Sequence, residues 1–178
     1  MTKRFSTFLL CLGLGICINT HAQSQSFLIL GDIHYDLLEN HDMEWLQKKP
    51  DDLRQVTTEY TQFTKKNWPA FSKQLRNRVK TYKPEIKAIL QLGDISEGLA
   101  GSEQKAEQMA QSVVKAVDAV AMSIPWIITK GNHDITGPGA QEAFIKYYIP
   151  MFQKQLDRTD IASANYAHQI GENLFVCF

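Results

Sequence analysis

Three short stretches each couple a hydrophobic run to a glycine and then to side chains able to ligate a cation. Residues 27–34 end in Gly31-Asp32-Ile33-His34, residues 88–97 contain Gly93-Asp94-Ile95-Ser96-Glu97, and residues 126–134 end in Gly131-Asn132-His133-Asp134. Each run has the length and apolar character of a buried strand that stops at its glycine. In a parallel sheet, three such carboxyl ends meet at one edge, where ligands bind. Asp32 and His34 are two apart, so an extended backbone would point both to one face. A carboxylate beside an imidazole suits Mn, Fe, Zn or Co better than calcium. Asp94 is placed to bridge two cations, and Asn132 offers a neutral carbonyl oxygen. His133, unable to share the direction of Asn132, is left to face a substrate.

The elements that must carry these residues are set by periodicity. The first strand is expected at about 27–31. Residues 36–66 form a long polar connection with helical content, since Leu53, Val56, Tyr60 and Phe63 share one helical face. Trp68-Pro69 marks a helix start, followed by Phe71, Leu75, Val79 and Tyr82 until Pro84, and the second strand lies at about 87–92. Ser102 is the expected N-cap of an amphipathic helix. Its apolar stripe is Ala106, Met109, Ala110, Val113, Val117, Val120 and Ala121, with Glu103, Glu107, Gln111, Lys115 and Asp118 opposite. A third strand at 126–130 leads to a turn-rich loop at 136–139. A helical stretch then turns Ala143, Phe144, Tyr147 and Tyr148 inward, and Pro150 breaks or kinks it. A hairpin is expected from 164–169 and 174–178 around a turn at 171–173. The alternation of strand and helix gives an α/β layered fold with a mainly parallel core.

The chain has 178 residues, enough for one domain with a core. Lys plus Arg and Asp plus Glu are equal at 19 each, so no broad nucleic-acid surface is expected and phosphate recognition must be local. Residues 1–22 have the pattern of a signal peptide: Lys3 and Arg4, an apolar run at 8–18, and Thr20-His21-Ala22 before the cut. That run is short for a membrane span, and none is expected after cleavage. A lipoprotein signal at Cys17 is the rival reading, opposed by Ile16 where a small residue is usual. Cleavage removes Cys11 and Cys17, leaving Cys177 without an internal disulfide partner and best read as a small core residue. Residues 23–178 then form the domain, in a periplasmic or secreted protein. Ending on the apolar run Phe175-Val176-Cys177-Phe178, they are expected to be the N-terminal portion of a longer domain.

Taken together, Gly31-Asp32-Ile33-His34, Gly93-Asp94-Ile95-Ser96-Glu97 and Gly131-Asn132-His133-Asp134 resemble the first three signature blocks of the calcineurin-like metallophosphoesterases. The resemblance covers about 27–178. It implies two divalent metal ions, with Asp32 and His34 on the first, Asp94 bridging and Asn132 on the second. It further implies hydrolysis of phosphomonoesters or phosphodiesters by a metal-bound hydroxide, with His133 protonating the leaving oxygen or stabilising its charge. Glu97 would be the acid that orients His133, one methylene longer than the Asp many relatives carry. Two departures stand out. Gly98 replaces the phosphate-gripping Arg of the protein Ser/Thr phosphatases, which argues against that branch. No Gly-His-x-His block comes after residue 134, and His168 has no ligand pattern, so these residues alone would leave both metals under-coordinated.

Plainer readings exist for each residue. Gly-Asp and Gly-Asn pairs form ordinary turns, and His34 could be a satisfied buried histidine. Asp134 would either orient His133 or cap its loop; Tyr35 and Asp36 would either line the substrate mouth or lie on the surface. His41 is expected as a solvated loop residue, and Trp45 and Trp68 as anchors of the long connection. The alternative for the whole chain is a non-catalytic exported module on a decayed phosphoesterase fold.

Overall fold

A computed structural model of the protein describes residues 24–120 and 122–178. Residues 1–22, where a leader is expected, with Cys11 and Cys17, and Ala121 of the apolar stripe lie outside the described residues. Strands β1 (Ser26–Leu30), β2 (Ile86–Gln91) and β3 (Trp126–Ile128) form a parallel sheet in the order β1-β2-β3. The central β2 is covered on both sides: Ile86, Ala88, Ile89 and Gln91 are buried. The expectation that all three strands are buried fails at β1, an edge strand whose Ile29 is 62% exposed. β3 is shorter than 126–130 because the chain turns toward Gly131. Thr129 still donates its N–H to the Gln91 carbonyl at 2.8 Å.

The connection from β1 to β2 is largely helical. It contains α1 (Met43–Leu46), α2 (Pro50–Gln55), a π-turn (Val56–Tyr60) and α3 (Thr61–Thr81). Asp42 caps α1 by accepting the Trp45 N–H at 3.1 Å. The helix does not start at Trp68-Pro69; Pro69 lies inside α3. Its position on the exposed side lets the missing N–H cost one bond while Thr64, Ser72 and Leu75 stay packed inward. Phe63 is 58% exposed, off the face expected for it. The π-turn inserts one residue, so Thr61 and Thr64 take the buried positions that a continuous 3.6-residue period would have given Phe63.

From β2 to β3 the crossover is α4 (Glu103–Val120). Ala106, Met109, Ala110, Val113, Val117 and Val120 are buried along the expected stripe. The Ser102 carbonyl, at the N-cap position, accepts the Ala106 N–H at 2.9 Å. After β3, α5 (Ala140–Ala143), a second π-turn (Phe144–Tyr148) and α6 (Ile149–Leu156) run on without interruption. Pro150 neither breaks nor ends this helical run: it sits in the first turn of α6, directly after the π-turn. Tyr147 is only half-buried, its hydroxyl donating to Glu107 at 2.9 Å.

The hairpin β4 (Tyr166–Ile170) and β5 (Asn173–Cys177) is antiparallel, closed by Gly171 and Glu172 with Gly171 at φ 60°. It is slightly displaced from the expected 164–169 and 174–178. β5 alternates, with Cys177 buried as expected while Leu174 and Val176 are exposed. Two contacts hold the hairpin to the parallel sheet. Phe175 packs edge-on to Phe27 at 4.9 Å. The Tyr166 hydroxyl accepts the Ile128 N–H and donates to the Ile128 carbonyl, both at 2.9 Å, filling the open side of β3. Among the described residues no helix is long and apolar enough to cross a membrane.

Candidate metal centre

The loops leaving β1 and β2 run side by side. Leu92 donates to the Leu30 carbonyl at 2.9 Å, His34 to that of Asp94 at 2.9 Å and Tyr35 to that of Ile95 at 2.8 Å. Parallel pairing resumes at Tyr35 and Ser96. Between these ties the backbone is not extended, contrary to the reading of the two-residue spacing. Asp32, His34 and Asp94 have φ of 45°, 44° and 52°, a left-handed region that non-glycine residues enter rarely, Asp and His more readily than most. Three such residues at one sheet edge are backbone strain gathered at a single place.

Glycine is required at two of the three strand ends for closeness. A Cβ on Gly131 would stand 2.1 Å from both the amide nitrogen and Oδ1 of Asp94, and one on Gly93 would stand 2.9 Å from the Gly131 Cα. The second and third loops therefore approach backbone to backbone. Gly31 meets nothing within 4 Å, so no such approach constrains the first loop. Buried Gln91 fixes the second turn. Its Oε1 accepts the Gly93 N–H and its Nε2 donates to the Gly93 carbonyl, both at 2.8 Å.

These ties bring one ligand atom each of Asp32, His34 and Asp94 within 4.8 Å of one another, and likewise of His34, Glu97 and His133. His34 belongs to both groups. Its Nδ1 lies 2.7 Å from Oε2 of the fully buried Glu97. A carboxylate accepting from Nδ1–H leaves the Nε2 lone pair for a cation, the usual support of a ligating imidazole. Burial pulls the His34 pKa down, but the hydrogen bond to Glu97 and the charges of Glu97, Asp94 and Asp32 outweigh it, and the net shift is upward. Burial pushes the Glu97 carboxyl up, against the pull of His34 and His133.

Glu97 reaches the His133 ring with a main-chain hydrogen bond rather than a carboxylate one. Its carboxylate instead serves His34, and Oε1 stands 3.6 Å from His133 Nδ1 without a hydrogen bond. His133 is held by main chain at its ring. Nδ1 donates to the Glu97 carbonyl at 2.8 Å, and the His133 N–H donates to Asp94 Oδ1 at 2.8 Å. Asp134 resolves to a loop lock: its buried carboxylate accepts from Ser96 N and Oγ at 2.9 and 3.0 Å and from Gly131 N at 2.8 Å. Asn132 is exposed on the same turn, its main-chain carbonyl accepting from Thr136 Oγ1 at 2.7 Å.

Two residues lie where they were not expected. Asp36 and His41 are both buried, Asp36 completely. His41 Nε2 meets Asp36 Oδ1 at 2.7 Å and Nδ1 meets the Leu99 carbonyl at 3.1 Å. His41 is thus a buried partner of a charge, which a polar stretch of sequence does not announce. Tyr35 is half-buried against Trp68 at 5.1 Å. Trp68 lines a cavity of about 340 Å³ with Asp32, Phe63 and Phe71. Trp45 packs beneath the Lys49 ammonium at 4.1 Å. His168 lies in β4, paired with Phe175 and away from this cluster. The residue that sequence reading misses is Tyr60, whose ring stacks on His34 at 4.7 Å and 28°.

A family model described as calcineurin-like phosphoesterase matches residues 26–177, most of the chain. A search of curated proteins found no match.

Proposed function

The chain belongs to the calcineurin-like phosphoesterase family, and from that premise we propose that it hydrolyses phosphomonoesters or phosphodiesters with the help of two divalent ions. The observation that carries this reading is the meeting of Asp32, His34 and Asp94 at one sheet edge on strained backbone, with Glu97 behind His34. The donor chemistry fits a divalent transition ion: two carboxylates and one imidazole whose free nitrogen is selected by a buried carboxylate. Asp32 and His34 would hold the first ion, Asp94 would be shared, and Asn132 would face the second.

When bound, such ions place positive charge against the phosphoryl oxygens and lower the pKa of a water. The protein's own groups supply the rest. The His133 N–H fixes one oxygen of Asp94, leaving the other free to ligate. With Nδ1 of His133 committed to the Glu97 carbonyl, Nε2 is the atom available to hold a proton for the leaving oxygen. Gly98, whose added Cβ would stand 2.3 Å from the His133 carbonyl, leaves no room for a phosphate-gripping arginine at that position. This supports an esterase outside the protein Ser/Thr phosphatase branch. The leader pattern at 1–22 supports export to the periplasm or beyond. Left-handed backbone at three ligand positions together favours a working site over a decayed, non-catalytic module.

Full-length protein assayed with nitrophenyl mono- and diesters in Mn, Zn or Co tests this. Asp94→Asn is expected to lose more than about 100-fold in turnover, beyond the usual cost of an outer ligand partner, while keeping its fold. Unchanged turnover in metal-replete buffer would remove Asp94 from the site.

A further inference from the structure

We propose that Tyr60 is a positioning residue of the metal centre, delivered onto His34 by the π-turn at Val56–Tyr60. The inference rests on reading His34 as a ligand. Its starting point is a local sequence that loosens an α-helix. Val56, Thr57 and Thr58 are consecutive β-branched residues, and Thr57 and Thr58 hydroxyls donate to the carbonyls of Leu53 and Arg54 at 2.6 and 2.7 Å. Thr61 completes the wide turn: both its N–H and its hydroxyl reach back five residues to the Val56 carbonyl, the hydroxyl at 2.8 Å. One extra residue rotates α3 by about 100° relative to α2. Phe63 is thereby exposed, and Tyr60 stands over the imidazole.

His34 needs such a restraint. Its backbone is left-handed, so local rotamer preferences of an extended strand do not aim it. Three contacts fix the ring instead: Glu97 at Nδ1, His133 edge-on at 4.8 Å and 81°, and Tyr60 across one face. Together they leave Nε2 as the free nitrogen. π-Turns inside helices recur at functional sites, and this one places an aromatic face against the residue common to both donor groups.

Calorimetric titration of Mn2+ into metal-free full-length protein tests the role, with circular dichroism to verify folding. Tyr60→Phe keeps the stacked ring and is expected to bind within about twofold of wild type. Tyr60→Leu removes it and is expected to weaken binding about tenfold, the lower end for outer-shell partners of a metal site. If the Leu variant does not fold, Tyr60→Met, with a helix-compatible unbranched side chain, takes its place under the same expectation. A folded Leu or Met variant that binds Mn2+ as wild type does overturns the positioning role and leaves the phosphoesterase reading intact. Wild-type protein that binds no Mn2+, Zn2+ or Co2+ overturns both.

Discussion

The buried pair His41–Asp36 permits a quantitative test of how the first loop of the candidate metal centre is held. Both His41 nitrogens face oxygens, Asp36 Oδ1 at 2.7 Å and the Leu99 carbonyl at 3.1 Å, an arrangement that suits an imidazolium donating to both. Asp36 Oδ2 has no hydrogen-bond partner among the described residues, so His41 is the main compensation for that charge. Replacing His41 by Leu strands a buried carboxylate, a change that costs about 3–5 kcal/mol. That is a large part of the roughly 5–15 kcal/mol that stabilises a domain. Asp36→Leu strands the imidazolium at similar cost. The double variant leaves no charge and is expected to lose far less than the sum of the singles. Urea unfolding of the four proteins, followed by circular dichroism with unchanged slopes, measures the coupling. Burial pulls the His41 pKa down, but the hydrogen bond and charge of Asp36 overcome it and raise it above 6.5. The pair's contribution is therefore complete below pH 6.5 and disappears as pH rises through the elevated native value. Single variants within about 1 kcal/mol of wild type, or costs that simply add, would refute the buried ion pair.

Two further substitutions probe the sheet and the site separately. Tyr166→Phe strips both hydrogen bonds from Ile128 and is expected to cost about 1–3 kcal/mol in urea unfolding, with Mn2+ affinity retained; no change in stability would mean that β3 does not depend on the hairpin. Gly131→Ala forces a methyl into Asp94, 2.1 Å away, and is expected to weaken Mn2+ binding at least about tenfold by titration. Binding equal to wild type would show that the second and third loops do not meet as described.

The parallel strands, α4 and the hairpin are readable because hydrophobic period and glycine punctuation are local signals. The three glycine-led blocks are readable for the same reason, and topology alone brings their ends together. Less legible are features set by contacts distant in sequence. Pro69 resembles a helix start, yet packing of Thr64, Ser72 and Leu75 carries α3 through it. The π-turn leaves no mark in a 3.6-residue pattern, which turns Phe63 and Tyr60 to one packing face and gives Tyr60 no place at the site. His41 and Asp36, five apart in a polar stretch, give no sign of burial, because the Leu99 carbonyl that completes the pair comes from another loop. Glu97 is recognisable as part of the site, but the hydrogen bond of its carboxylate to His34 rather than His133 joins loops distant in sequence.

The most direct measurement is an anomalous-scattering crystal structure of the full-length protein grown with Zn2+. A zinc peak is expected between Asp32, His34 and Asp94, with donor distances of about 2.0–2.2 Å and Nε2 as the His34 ligand. Zinc bound only elsewhere, or these three side chains turned away from one another, would contradict it.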